Sequence, residues 1–313
     1  MTSIILDLTV GSRLDVADAH EIAAAAADAG VAAVRLLDGT ADEVLDPTAV
    51  AAYLAGRIPE SRWIVEAPTT GNAPYNLARR VLSLDRAGSG RTGLVLRAGY
   101  GDEVSDLLAS DVPNPDGRPA DRPRRWAEYA RVLTGLWESF PATALLGDQA
   151  SGVFADTGLI RPIEHEGSRY RVAGPLDGPS SPQGRPVLVA DARDELDWPD
   201  VAALADVLVV PQDQAAAAAS RLADALEGAG RRRREVVLLG RADMTGSAFA
   251  PWTARELADW AQSQALDGIE LGIDGDRAEI LALLRALGPW RQPASGASLR
   301  AALGLPEPVG AIG

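Results

Sequence analysis

Eight short apolar runs, separated by stretches with helical periodicity, constrain the fold of this chain more than any other feature. Parallel strands covered on both faces read as near-continuous Val, Ile and Leu, and each needs a helical connection to the next strand. Eight such units predict an α/β protein with a (β/α)8 TIM barrel. The predicted strands are Ile4–Val10, Ala33–Leu37, Trp63–Ala67, Gly93–Arg97, Pro186–Ala190, Val207–Val210, Glu235–Leu239 and Gly268–Ile273.

The helices between these strands carry their own start and stop signals. Asp15 is expected to cap the first helix, and Gly30 to end it where a left-handed backbone suits glycine. Pro47 and Thr253 mark two further helix starts. The predicted helices are Val16–Ala29, Ala73–Asp85, Arg125–Glu138, Gln214–Glu227, Thr253–Ala265 and Arg277–Leu287.

Two long connections interrupt the alternation, one after the fourth predicted strand and one before the fifth. Tyr100–Arg124 is rich in Asp, Pro and Gly, and Phe140–Arg185 contains no convincing helix. Connections of this length in a compact domain are usually lids or binding loops. Because loops after barrel strands lie at the C-terminal mouth, the first is expected to overhang it. Residues 1–313, with a C-terminal tail over 291–313, are predicted to form one barrel domain.

The charge balance and the residue types exclude several classes of partner and site. With 44 acidic against 30 basic residues, the formal net charge is −14, so neither nucleic acid nor an anionic membrane is expected as a partner. The chain has no cysteine, and no part of it concentrates enough His and carboxylate ligands for a metal ion. No apolar stretch reaches the length of a membrane span and the start is too acidic for a signal peptide, which predicts a cytoplasmic location.

Several sequence words occur in the same order in a known family. They are YNLARRVLSLDRAGSGR at Tyr75–Arg91, WAEYARVLTGLWESF at Trp126–Phe140, DQASGVFADTGLIRPIEHEG at Asp148–Gly167, SPQGRPVLV at Ser181–Val189 and SLRAALGLPEP at Ser298–Pro308. Together they resemble the nitrilotriacetate and dibenzothiophene-sulfone monooxygenase branch of the bacterial luciferase-like flavin enzymes. The resemblance implies a barrel that oxygenates a small organic substrate with O2 and reduced FMN, the flavin being supplied by a separate reductase.

The resemblance also implies where a flavin would lie. Asp38 matches an acidic strand end near the flavin, and Thr69 and Thr70 align with the family's threonines under the isoalloxazine ring. Asn72 lies in the same segment, and the alternative for these three residues is that they cap the following helix. The candidate cofactor-binding set is Asp38, Thr69, Thr70, Asn72, Arg97 and Arg193. No catalytic side chain is assigned, because in this chemistry the cofactor carries the reaction.

Other cofactor positions depart from the family pattern. Val95, Ala98 and Gly99 stand where the family has polar partners at the end of strand four, and Pro123 replaces a tyrosine. The family's phosphate-binding glutamine-alanine-glycine and serine pair is replaced by ADARDE at residues 190–195. Three carboxylates there oppose a dianionic phosphate, and each close like-charge contact costs on the order of 1 kcal/mol. Oxidised FMN is therefore expected to bind weakly or not at all.

Three functional hypotheses follow. The first is an FMN-dependent monooxygenase, and the second is a non-catalytic family member that binds no flavin and serves as the silent partner of an active homologue. The third is flavin-free hydrolysis or isomerisation in a polar pocket at the strand ends. That pocket would comprise Glu66, Arg97, Asp191, Arg193, Arg241, Asp243 and Asp274.

Two smaller expectations concern the histidines and the oligomer. His20 is expected on a solvated helix face and His165 in a structural turn, so neither is assigned to catalysis. The family resemblance implies a homodimer, or a heterodimer with a homologue, formed through helices beside strands two and three. The candidate face is the helix Ala73–Leu84 with its adjacent Arg79 and Arg80.

Overall fold

Eight parallel strands close into a barrel in the computed structural model, which describes residues 3–11, 13–39, 44–99, 122–245, 252–288, 290 and 296–307. Each barrel strand pairs with the barrel strands before and after it along the chain, and the last pairs with the first. The predicted TIM barrel is confirmed. Its strands are β1 (Ser3–Leu8), β2 (Ala33–Leu36), β3 (Trp63–Pro68), β4 (Thr92–Arg97), β9 (Val187–Asp191), β10 (Val207–Pro211), β11 (Val237–Thr245) and β12 (Gly268–Asp274); β5 to β8 are short strands between β4 and β9.

The helices follow the strands in the predicted order and cover the outside of the barrel. They are α1 (Val16–Asp28), α2 (Pro47–Ala55), α3 (Pro74–Ala87), α4 (Arg122–Glu138), α5 (Trp198–Leu204), α6 (Ala215–Gly228), α7 (Ala254–Ser263), α8 (Arg277–Leu287) and α9 (Leu299–Ala302). Asp15 and Thr253 cap their helices through capping boxes, Pro47 lies in the first turn of α2, and Gly30 has a φ of 84° after α1, all as predicted. Within the described ranges, no helix has the length and apolar character needed to cross a membrane.

The structure describes the second of the two long connections but only the end of the first. α4 begins at Arg122, three residues before the predicted start, and the rest of the first connection lies outside the described residues. The second contains short antiparallel hairpins and no long helix, in agreement with the expectation. In it β5 (Leu145–Asp148) pairs with β6 (Val153–Ala155), and β7 (His165–Glu166) pairs with β8 (Arg171–Val172).

The interior of the barrel is apolar at the N-terminal ends of the strands and is closed there by the C-terminal segment. Leu299, Leu303 and Leu305 pack into the same buried cluster as the inward-facing aliphatic residues. A Cβ added at Gly93 would lie 2.9 Å from Leu299 Cδ2 and 3.0 Å from Val187 O, so the C-terminal segment packs closely against this glycine. The inward-facing aliphatic residues are Ile5, Ala33, Ile64, Val95, Val187, Val189, Val207, Val209, Val237 and Leu239.

The SPQGRP word lies at this closed end and ties the C-terminal segment to the barrel. Gln183 Nε2 donates to both carboxylate oxygens of Asp85 at 2.8 and 3.0 Å and to Thr92 O at 2.8 Å. Its Oε1 accepts from Arg300 N at 3.0 Å. Part of the sequence that carries the family resemblance therefore stabilises the end of the barrel opposite the mouth.

Candidate functional site

A layer of charged side chains fills the barrel above its apolar half, toward the C-terminal ends of the strands. Side chains alternate along a strand, so a residue two positions after an inward-facing residue also faces inward. Every barrel strand except β10 places a charged residue at such a position, giving four carboxylates and three guanidinium groups. They are Asp7, Arg35, Glu66, Arg97, Asp191, Arg241 and Glu270.

Arg35 is the centre of this layer and is 0% exposed. Its guanidinium donates to Glu66 on the adjacent strand at 2.5 Å, to both oxygens of Glu270 at 2.9 Å, and to Asp191 at 3.0 Å. Buried charges are tolerated when they are paired and hydrogen-bonded, since an unpaired one costs several kcal/mol. Arg35 thus joins carboxylates from three strands across the barrel interior.

Arg241, on β11, forms the second centre. It binds Asp7, donates to Glu270 Oε1 at 2.6 Å and to Asp243 at 2.7 Å. Burial, with repulsion from Glu270, raises the pKa of Asp7 to about 7 despite the nearby arginines. Among the described residues, Asp7 Oδ1 has no hydrogen-bond partner, which fits a carboxyl that holds a proton near neutral pH.

The structure places the predicted flavin-ring residues at the C-terminal mouth. Asp38 follows β2 and Thr69, Thr70 and Asn72 follow β3, so all four lie at the strand ends of the barrel. Partial loss of hydration, with repulsion from the carboxylate of Glu66, raises the pKa of Asp38.

The threonine segment is held by its own hydrogen bonds. Thr69 is 0% exposed, and its hydroxyl accepts from Gly99 N at 3.0 Å. Asn72 Nδ2 donates to Pro68 O at 3.0 Å and its Oδ1 accepts from Arg80 at 3.0 Å. The N-cap residue of α3 is Ala73, which makes no side-chain capping bond, and the Thr69 and Asn72 side chains bond elsewhere, so the capping alternative is wrong for Thr69 and Asn72.

The two predicted cofactor-binding arginines are paired with the chain's own carboxylates. Arg97 donates to Asp194 through Nε and Nη2 at 2.9 and 2.8 Å and to Glu66 at 3.0 Å. Arg193 binds Asp191 through Nε and Nη2, the shortest contact being 2.5 Å. Burial alone would raise the pKa of Asp191, but Arg193 and Arg35 hold it well below its usual value.

Carboxylates and a hydroxyl also accept the backbone N–H groups at this part of the mouth. Asp194 Oδ2 accepts from Ala98 N at 2.9 Å, and Asp191 Oδ1 accepts from Arg193 N at 3.1 Å. Gly99 N donates to Thr69, as described above. A phosphate binds at such positions through free amides and cations. The sequence predicted that the carboxylates would repel the FMN phosphate. In the structure Asp191 and Asp194 are paired with arginines, so the obstacle to phosphate binding is instead that the N–H donors are already occupied.

The polar-pocket residues do come together, with one exception. Glu66, Arg97, Asp191, Arg193, Arg241 and Asp243 belong to the ion-paired layer or its rim. Asp274 instead binds Arg13, and both side chains are mostly exposed. The layer residues bond to one another, which is typical of a buried charged core and not of groups that face a substrate.

The two histidines were expected in different settings. His20 lies on α1 as expected, but it is half-buried and not on a fully solvated face. His165 Nε2 lies 3.3 Å from Glu128 Oε1. Glu128 also accepts from Ser168 Oγ and the backbone N–H groups of Arg169 and Tyr170, so its carboxylate organises the turn after β7.

Sequence reasoning missed Asp7, Arg35 and Glu270, which complete the charged layer. A signal for them was present: each is a single charge inside an otherwise apolar strand, in the words ILDL, AVRL and GIEL. A charge at an inward position of a buried strand requires a partner of opposite sign nearby. Counting positions from the strand ends would have placed these three beside Glu66, Arg97 and Asp191.

Comparisons with known proteins agree with the resemblance read from the sequence words. The luciferase-like monooxygenase family profile matches residues 3–289. The chain is 31% identical over 315 residues to one of the subunits of pristinamycin IIA synthase of Streptomyces pristinaespiralis, covering 98% of this chain and 97% of the relative.

Two further relatives match over a shorter part. Nitrilotriacetate monooxygenase component A of Aminobacter aminovorans is 33% identical over 150 residues, covering 47% of this chain and 32% of the relative. Dibenzothiophene-sulfone monooxygenase of Rhodococcus erythropolis is 31% identical over 154 residues, covering 49% of this chain and 33% of the relative. These matches span about a third of each relative's length.

Solved structures of similar fold include two monooxygenases. A long-chain alkane monooxygenase superposes with a TM-score of 0.79 at 15% identity, covering 97% of this chain and 95% of the other. The EDTA monooxygenase from Chelativorans sp. BNC1 gives 0.75 at 18% identity, covering 98% and 99%. At these identities the likeness concerns the fold alone.

Proposed function

The chain belongs to the luciferase-like monooxygenase family, and from that premise we propose that it is a flavin-free companion subunit of a heteromeric luciferase-like monooxygenase. Its partner would be a homologous barrel that binds reduced FMN and oxygenates a small organic substrate. In this proposal the chain supports its partner by contact and holds no flavin itself.

The occupied donors at the mouth carry this proposal. An FMN phosphate needs several N–H donors and at least one cation that can turn toward it. Here the amides of Ala98 and Arg193 already donate to carboxylates, and Arg97 and Arg193 are paired with the same two acids. The residues present therefore do not fit the phosphate as they stand. A phosphate would have to displace both Asp194 and Asp191, which are 2% and 0% exposed.

The comparisons support the heteromeric part of the proposal. One relative that aligns with this chain nearly end to end is named as one of the subunits of a synthase, and so as one of several chains. Two relatives named as a dibenzothiophene-sulfone monooxygenase and as component A of nitrilotriacetate monooxygenase match over only about a third of their own length. This chain thus aligns along its whole length with a subunit and over part of the larger enzymes.

A second candidate is a monooxygenase that binds reduced FMN directly and receives it from a separate flavin reductase. The retained mouth residues Asp38, Thr69, Thr70 and Asn72 favour it, since a flavin ring needs polar partners along its edge. In this alternative the reduced flavin would be the group that reacts with O2. The chain would orient the flavin ring and exclude water. The substrate class would be a small organic molecule, as the names of the relatives indicate for those proteins.

Flavin titration separates the two candidates. The purified chain is titrated with oxidised FMN by fluorescence quenching, and with reduced FMN under anaerobic conditions. We expect a colourless protein and no binding at micromolar flavin in either state. Dissociation constants at or below about 1 μM, equivalent to −8.2 kcal/mol, would replace the companion-subunit proposal by the second candidate.

A further inference from the structure

The exposed large hydrophobic side chains of this molecule are concentrated in one place. Seven are exposed among the described residues, and five of them lie on the β5–β6 hairpin or the turn that follows it. Phe154, one of only three phenylalanines in the chain, is 74% exposed. The five residues, called the hairpin patch below, are Leu145, Leu146, Val153, Phe154 and Leu159.

The hairpin is held in place by hydrogen bonds at its base and tip. Asp156 N donates to Ala144 O at 2.8 Å, and Arg161 N donates to Ser139 O at 2.9 Å. At the tip, Asp148 accepts from Ser151 Oγ at 2.6 Å and from the N–H of Ala150 at 2.9 Å. The patch is therefore presented on an ordered two-stranded sheet. Exposed apolar side chains concentrated on one ordered element mark a candidate interaction site.

The face predicted for a dimer is of a different kind. The exposed positions of α3 are polar or basic, and Arg79 pairs with Asp177 at 2.6 Å while Arg80 donates to Asn72. The fully buried centre of a stable interface is depleted in charge and enriched in large apolar residues. The hairpin patch meets that description better than the outer face of α3 does.

Charge indicates which occupant suits the patch. Between Phe140 and Ile160 the charged residues are Asp148 and Asp156, and the next cation along the sequence, Arg161, donates to Gly158 O. A second copy of this chain would bring a further formal charge of −14 and the same acidic tip. Like charges across a contact oppose association, whereas opposite charges at the rim favour it. The occupant that fits is a different chain with an apolar centre and a basic rim.

We infer that the hairpin patch is the docking surface for the flavin-binding partner barrel, with an apolar surface rimmed by Lys or Arg on the partner's side. This inference rests on the proposed function. β4 ends at the mouth, and α4 runs back along the outside of the barrel. The hairpin follows the C-terminal end of α4 and therefore lies at the side of the barrel remote from the mouth. Docking there leaves the mouth of this barrel uncovered.

The test uses sedimentation velocity with the full chain and, as probes, each flavin-binding luciferase-like monooxygenase encoded in the same genome, purified singly. Phe154→Ser removes the largest exposed side chain of the patch. Tyr53→Ser is the matched control, because Tyr53 is 48% exposed on α2 outside the patch. We expect a 1:1 complex with one probe, a dissociation constant raised at least about tenfold by Phe154→Ser, and little change with Tyr53→Ser.

Each of the other outcomes overturns the docking surface, the choice of partner or the proposed function. A complex that Phe154→Ser leaves intact, or that Tyr53→Ser disrupts, overturns the docking surface and leaves the companion-subunit proposal standing. Self-association of the chain that Phe154→Ser abolishes overturns the choice of partner. Absence of a complex with every probe overturns the docking surface and the companion role together. FMN binding by the chain alone overturns the flavin-free proposal and, because the inference rests on it, the choice of partner.

Discussion

Two aspartates of the charged layer respond to burial in opposite ways. Asp7 faces the carboxylate of Glu270, and burial with that repulsion raises its pKa to about 7. Asp191 is as deeply buried, but hydrogen bonds from Arg193 and the charge of Arg35 lower its pKa. The two residues therefore make opposite contributions to the pH dependence of stability.

The variant Asp7→Asn is expected to raise the Tm at neutral and alkaline pH. The folded chain holds the Asp7 proton more tightly than the unfolded chain does, so the stabilisation from Asp7 is complete below about pH 4 and is lost as the pH rises to about 7. An amide at this position avoids the buried anion. Thermal unfolding between about pH 5 and pH 8.5 should show a Tm gain of a few degrees that grows with pH.

The comparison variant Asp191→Asn is expected to have the opposite sign. Its depressed pKa means that the carboxylate stabilises the fold at every pH above about 4, so the amide should lower the Tm throughout that range. Equal signs for the two variants would contradict the assignment of charge states within the layer.

Asp194→Ser tests whether the chain's own carboxylates occupy an anion site. The change frees Ala98 N and the Nε and Nη2 groups of Arg97, so FMN affinity should increase by about tenfold or more. Asp213→Ser is the control, because this exposed carboxylate follows β10 at the same mouth and its removal alters the net charge equally. Equal gains from both variants would mean that long-range repulsion, rather than occupied donors, excludes the flavin.

The candidate site was predictable from the sequence only in part. The strand ends located Asp38, Thr69, Arg97 and Arg193 at one mouth, because parallel strands share their direction. The sequence did not reveal which charges pair across the barrel. Arg35 meets Asp191 through the interior although their strands are not neighbours, and such a contact depends on barrel closure, which a one-dimensional pattern does not contain.

At the scale of elements, the alternation of apolar strands and helices was sufficient to predict the barrel. Strand positions agreed to within a few residues, except that β11 extends to Thr245, six residues beyond the predicted Leu239. Its extension contains Arg241 and Asp243. Charged residues at this spacing are typical of a loop, but in the structure these two side chains form an ion pair on the strand. The α9 plug was also missed, since four helical residues carry too weak a periodicity to detect.

Gln183→Ala tests the role of the SPQGRP word in joining two elements. The change removes the amide that donates to Asp85 and Thr92 O and accepts from Arg300 N. Leaving buried partners unsatisfied costs about 1–3 kcal/mol per group, so we expect a lower urea midpoint and greater protease sensitivity of the C-terminal segment. Gln262→Ala, at an exposed position on α7, should leave both unchanged.

If Gln183→Ala and Gln262→Ala unfold at the same urea concentration, the contact between the SPQGRP word and α9 contributes little to stability. The resemblance carried by this word would then need an explanation other than closure of the barrel. FMN affinity is not expected to change in either variant, since Gln183 lies at the end opposite the mouth.

At the scale of the whole molecule, two kinds of electrostatic interaction are separated in space. The charged layer is buried and nearly balanced, with three arginines against four carboxylates, and salt screens such interactions little. The surface carries the excess that gives a formal net charge of −14. Exposed pairs such as Arg255 with Asp259 contribute little to stability, so the long-range repulsion among surface carboxylates is the main salt-sensitive contribution.

Raising the NaCl concentration at pH 7 is therefore expected to stabilise the protein. Between about 20 mM and 300 mM salt the Debye length falls from roughly 20 Å to below 10 Å, which weakens repulsion across the surface while the buried pairs persist. We expect the Tm to rise by about 2 °C or more. The control is the same titration near pH 5, close to the pI of about 4.6, where the net charge and hence the salt effect should nearly vanish. A Tm that falls with salt at pH 7 would show that exposed ion pairs outweigh the repulsion, and an equal rise at both pH values would point to a general salt effect on apolar surface instead of charge screening.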